Sequence, residues 1–86
     1  MNPANERVLC VDDQTEIIDL LERHLSDSFD CVYATSGAEA LNLIDAKGPF
    51  AAVVADYSMP NMDGITLLAE IRKRAPDTVP IMLTAY

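Results

Sequence analysis

Val8-Leu9-Cys10-Val11-Asp12-Asp13 decides how this chain folds. A short run that is apolar throughout reads as a strand buried on both faces, the habit of a parallel sheet. Two carboxylates follow where that strand would stop. The pattern recurs twice. Phe50 to Ala55 is a small apolar run closed by Asp56, and Ile81-Met82-Leu83 runs into Thr84 as a fourth strand, 81–84.

Outward from these strands the periodicity changes. Between Thr15 and Leu25 the apolar residues Ile17, Leu20, Leu21 and Leu25 fall at helical spacing with charges opposite. Acidic residues lead that segment, and Arg23 and His24 close it, as the helix dipole favours; His24 reads as a solvated C-terminal residue. Cys31 to Ala34 reads as a second strand. Ser36-Gly37-Ala38-Glu39 is a capping box, in which serine caps the helix and glutamate reaches back. Leu41, Leu43 and Ile44 give that second helix its buried face, and Lys47-Gly48-Pro49 ends it, with Gly48 free to take a left-handed cap. After the breaker-rich turn from Tyr57 to Gly64, Ile65, Leu68 and Ile71 mark a third helix. It ends in Arg72-Lys73-Arg74, a basic last turn that complements the dipole. The order is βαβαβαβ, which implies a parallel α/β sheet with right-handed crossovers.

The totals narrow the function. Eighty-six residues make one small domain. A formal net charge of −8, from 14 acidic and 6 basic residues, argues against a nucleic-acid surface in this stretch and against an anionic membrane surface. No apolar run approaches the ~18 residues of a spanning helix. The N-terminus has no apolar core like that of a signal peptide, and residues 1–5 read as a flexible tail. Cys10 and Cys31 lie in strand-like runs and read as small reduced hydrophobes, which places the chain in the cytoplasm. Glycine-rich phosphate loops of the G-x-G-x-x-G or G-x-x-x-x-G-K kind are absent, so this is not a nucleotide-binding domain.

In open parallel sheets ligands bind beyond the carboxyl ends of the strands, where strand order reverses. With the first strand central and the third beside it, Asp12, Asp13 and Asp56 converge there, and Thr84 joins from the fourth. Close carboxylate pairs repel by on the order of 4 kcal/mol each at an effective dielectric near 20. A divalent cation offsets that repulsion. Few protein carboxylates, with room for waters and a phosphate oxygen, point to Mg²⁺ (or Mn²⁺) rather than a full calcium cage.

These residues resemble the receiver domain of two-component response regulators. The resemblance rests on the Asp12-Asp13 pair, on Asp56-Tyr57-Ser58-Met59-Pro60-Asn61-Met62-Asp63-Gly64, and on Thr84-Ala85, and covers the chain from about residue 6 onward. It implies an incomplete flavodoxin-like fold of four parallel strands in order 2-1-3-4 with three helices. It implies a phospho-acceptor signalling domain rather than an enzyme, with Asp56 taking a phosphoryl group from a sensor histidine kinase. Asp13, Asp56 and the Ser58 backbone carbonyl would bind Mg²⁺, Asp12 would act through water, and Thr84 would sense the phosphoryl oxygen. Met59, Pro60 and Gly64 would shape the loop.

The family pattern also sets what to expect of residues 6–86: a receiver domain without its fourth helix, fifth strand and fifth helix, and so without the fifth-strand lysine. Neither Lys47 nor Lys73 stands at a matching position. Right-handed crossovers put the first helix on one face and the other two opposite, leaving one face thinly covered. A homo-oligomer through that face or the fourth strand is therefore the competing expectation, a receiver-like interaction module that is never phosphorylated. An Asp-nucleophile phosphatase would want a second aspartate two residues after the nucleophile, and position 58 is serine.

Overall fold

Short apolar runs alternating with amphipathic ones give β1 (Arg7–Val11), α1 (Thr15–Leu25), β2 (Asp30–Ala34), α2 (Gly37–Lys47), β3 (Ala52–Asp56), α3 (Gly64–Arg74) and β4 (Val79–Leu83). The computed structural model describes residues 7–83, so the tail expected at 1–5 and Thr84 lie outside the described residues. The four strands are parallel in the order β2-β1-β3-β4, as the sequence predicts.

Alternation along the central strands sorts the core into two layers. Leu9, Val11, Val53 and Ala55 face α2 and α3, where Ala40, Ile44, Leu67 and Ile71 close over them. Val8, Cys10 and Val54 face the other way, toward Ile18, Leu21 and Leu25 of α1. The second layer is thinner. None of the α1 residues is fully buried, whereas α2 and α3 each bury three.

The helix faces match expectation in part. In α1 Leu21 and Leu25 face the sheet as expected, but Ile18 joins them and Leu20 is 47% exposed. In α2 Ile44 is buried and Leu41 and Leu43 pack against the core. In α3 Gly64, Leu67 and Ile71 are buried, Leu68 packs against the core beside them, and Ile65 is 55% exposed. The shift in α3 follows from Gly64, which has no side chain to register in a hydrophobic pattern yet abuts the end of β3. Gly48 is not a left-handed cap either: its φ is −63°. A side chain there would meet the Ile44 carbonyl oxygen at 2.5 Å, so close approach to the helix end accounts for the glycine.

Strand boundaries move modestly. β3 begins at Ala52 and includes Asp56, leaving Phe50 as a buried core residue ahead of it, and β4 begins at Val79 with Pro80 inside it. β4 has a partner only on its β3 side among the described residues, where a proline is tolerated. Val79 and Ile81, paired in register with Ala52 and Val54, share the face of α1 and are 55% and 43% exposed. The basic last turn of α3 is engaged: Arg74 reaches Asp45 on α2 at 2.5 Å and Glu70 at 3.7 Å.

Candidate functional site

Because the strands are parallel, all their carboxyl ends lie at one edge. β1 and β3 are neighbours with Val11 opposite Ala55, so one further residue brings Asp12 beside Asp56. Asp12, Asp13 and Asp56 each offer a carboxylate oxygen, and these oxygens lie within 4.8 Å of one another. Asp12 is buried at 3% exposure, Asp56 is half-buried and Asp13 is exposed. The three-aspartate convergence read from the sequence is therefore present.

Asp12 is tied down locally. Its backbone N–H donates to the Ala34 carbonyl at 3.1 Å, extending the β1–β2 ladder. Its Oδ1 accepts from the Gln14 N–H at 2.9 Å, and α1 starts from Gln14 without a side-chain cap. The carboxylate thus helps turn the chain into α1 while pointing at the cluster. Burial pushes the Asp12 carboxyl above its ordinary range; the Gln14 N–H pulls it back, and Asp56 and Asp13 push it up again. No lysine or arginine forms an ion pair with the three aspartates among the described residues. Hard oxygen donors carrying uncompensated negative charge suit a divalent cation.

The loop after β3 is fixed at several points. Tyr57 N–H donates to the Leu83 carbonyl and Gly64 N–H to the Tyr57 carbonyl, both at 3.0 Å. A side chain on Gly64 would collide with the Asp56 carbonyl oxygen and lie 3.0 Å from Tyr57 Cα, so only glycine lets α3 start against the end of β3. Met59 is buried in the larger core layer, while Pro60 and Ser58 are exposed. Thr84 lies outside the described residues; Leu83 before it pairs with Asp56.

Two loop residues escaped the sequence reading. Asp63 is the N-cap of α3: its Oδ1 accepts from Thr66 N–H at 2.8 Å, which pulls its carboxyl below the ordinary range. An aspartate three residues before a threonine, at the start of an apolar-periodic run, was the available signal. Asn61 takes a left-handed φ of 71°, which asparagine tolerates better than most residues and which Pro60-Asn61 foreshadows. A cavity of about 460 Å³ lies at the opposite edge of the sheet, between the ends of α2 and α3, lined by Ile44, Asp45, Phe50, Arg74 and Thr78 among others. It is remote from the carboxylates.

Comparison with known proteins agrees with this geometry. A family model described as "Response regulator receiver domain" matches residues 8–86. The hydrogenase transcriptional regulatory protein HoxA of Cupriavidus necator is 34% identical over 86 residues, covering all of this chain and 18% of that protein. The probable transcriptional regulator ycf27 of Guillardia theta is 44% identical over 83 residues, covering 95% of this chain and 32% of that protein. The chain thus spans a third or less of these relatives' length. Among solved structures, the response regulator TrrA of Thermotoga maritima, crystallised in complex with Mg(2+)-BeF, superimposes with a TM-score of 0.86 at 36% identity, covering 94% of this chain and 70% of that one. Strand order, helix placement and this likeness define a CheY-like receiver fold. The chain belongs to the response regulator receiver domain family.

Proposed function

We propose that this chain accepts a phosphoryl group from a sensor histidine kinase onto Asp56, with Mg²⁺ or Mn²⁺ held beside it. The observation that carries this reading is the meeting of three carboxylates at the edge where β1 and β3 end. Asp13, Asp56 and the Ser58 carbonyl would hold the cation directly, and Asp12 through water. When bound, the cation supplies charge neutralisation between the carboxylates and the incoming phosphoryl oxygens.

Asp56 is the nucleophile by position: it is the last residue of β3, half-buried, and its backbone is fixed by the ladder and by the α3 start. Its carboxylate oxygen attacks phosphorus in line, the phosphorus–nitrogen bond of the donor breaks, and the imidazole nitrogen keeps the electron pair. The product is a mixed anhydride on Asp56. Asp12 stays in place to order the site, because its Oδ1 is engaged by Gln14. Thr84 is assigned to the phosphoryl oxygen, and Met59, Pro60 and Gly64 to shaping the loop. The module works in the cytoplasm. An output on DNA, of the sort the relatives' descriptions name, would belong to other parts of a longer protein. Among the described residues no helix is long and apolar enough to cross a membrane.

Beryllofluoride with Mg²⁺ should raise the melting temperature of the wild-type chain and leave Asp56→Asn unchanged. Equal shifts in both, or none in either, would overturn the assignment of Asp56. A second reading, self-association as an interaction module, is favoured by Val79 and Ile81, which lie exposed on the face that α1 covers thinly.

A further inference from the structure

Gly37 lies under Met62. A side-chain carbon at position 37 would stand 2.7 Å from Met62 Sδ, 3.0 Å from its Cβ and 3.1 Å from its Cγ. The sulfur could swing aside, since a thioether is flexible. The Cβ cannot, because it is fixed to the loop backbone. A methyl group at position 37 therefore forces either the start of α2 or the β3–α3 loop to move.

The start of α2 is the firmer of the two. Ser36 Oγ accepts from Glu39 N–H at 3.1 Å, and Glu39 Oε1 accepts from Thr35 N–H at 2.8 Å and from its hydroxyl at 3.2 Å. Ala40, one turn on, is completely buried. The loop is weaker. Pro60 and Asn61 are exposed, Asn61 holds a left-handed φ, and within the loop Met62 N–H donates to the Pro60 carbonyl at 2.8 Å. Downstream of Met62, Asp63 and Gly64 are held by the Thr66 N–H and the Tyr57 carbonyl. A push on Met62 is thus relieved upstream, first through Pro60 and Asn61, and reaches Ser58 across Met59, whose side chain is anchored in the core.

We infer that Gly37 is a positioning residue for the cation site: its missing side chain seats Met62, and the seated Met62 fixes the loop that presents the Ser58 carbonyl. The inference rests on the receiver reading above. It also opposes a simple local expectation. Alanine is a better helix former than glycine, so helix propensity alone predicts that Gly37→Ala improves the protein.

The test compares wild type, Gly37→Ala, Met62→Ala and the double variant. Mg²⁺ affinity is measured by calorimetric titration, and loop order by amide hydrogen exchange without metal. Gly37→Ala should bind Mg²⁺ about tenfold more weakly, as when a supporting residue around a metal site is lost. Met62→Ala, which empties the seat, should weaken binding to a similar degree, and the double variant should be no weaker than Gly37→Ala alone, because both changes break one contact. The amide of residue 62 should exchange faster than in wild type in all three variants. Unchanged Mg²⁺ affinity and exchange in Gly37→Ala would overturn the inference, as would losses in the two single variants that simply add in the double. The exchange arm needs no metal, so a wild-type chain that fails to bind Mg²⁺ would contradict the cation reading alone.

Discussion

At the scale of single residues, the cluster is a store of repulsion. Asp12 is buried beside two other carboxylates, and burial, ahead of their repulsion, holds its carboxyl above the ordinary range. Its folded-state carboxyl titrates above the ordinary 3.8, so between that value and its raised one the folded chain binds more protons than the unfolded one. Stability therefore falls as pH rises through that window in the absence of divalent cations. Asp12→Asn keeps an oxygen for the Gln14 N–H but removes the charge. The variant should melt about 5 °C above wild type at neutral pH without metal, and should lose the pH-dependent decline. Melting curves across the acid range check this; parallel profiles for the two proteins would contradict it. Asp63 acts in the opposite sense, because its carboxyl is lowered by the Thr66 N–H. Its contribution is present above 3.8 and lost as pH falls through its depressed value, so the two effects separate on either side of 3.8. With Mg²⁺ present, the wild-type chain should gain more in melting temperature than Asp13→Asn, and equal gains would show that Asp13 is no ligand.

At the scale of elements, stability tracks which helix face meets the sheet. Leu67→Ala removes a fully buried side chain from the larger layer and should cost about 2–5 kcal/mol. Ile65→Ala, on an exposed position two residues earlier, should stay within about 0.5 kcal/mol. Urea titrations that reversed this order would return α3 to the face read from the sequence. Ser36→Ala removes the oxygen that accepts from Glu39 N–H and should cost about 1 kcal/mol. These elements also show what a sequence reveals. Strand order, parallel pairing and the meeting of Asp12 with Asp56 were legible, because a βαβ chain sends every strand end to one edge. The face of α3 was not, since Leu67 and Leu68 both fit helical spacing and Gly64 leaves no hydrophobic mark. The seat of Met62 on Gly37 was not legible either: it joins residues 25 positions apart through loop geometry that no periodicity encodes. Glu39 was half legible. It reaches back as a capping-box glutamate should, but to Thr35 rather than to the cap itself.

At the scale of the whole molecule, the two sheet faces are unequally covered, and β4 carries the consequence. Val79 and Ile81 present apolar surface beside the thinner layer. If the chain self-associates through that surface, light scattering will show mass rising with concentration into the high micromolar range, and Ile81→Lys will suppress the rise. A constant monomer mass in wild type would remove the self-association reading. That question is separable from the chemistry at the opposite side of β3, where the account stands on Asp56. Its most direct test is mass spectrometry of the intact chain after incubation with a small phosphodonor such as acetyl phosphate, with and without Mg²⁺. One added phosphoryl group is expected in wild type, dependent on Mg²⁺ and absent from Asp56→Asn. Labelling of Asp56→Asn equal to wild type, or no labelling of wild type with Mg²⁺ bound, would contradict it.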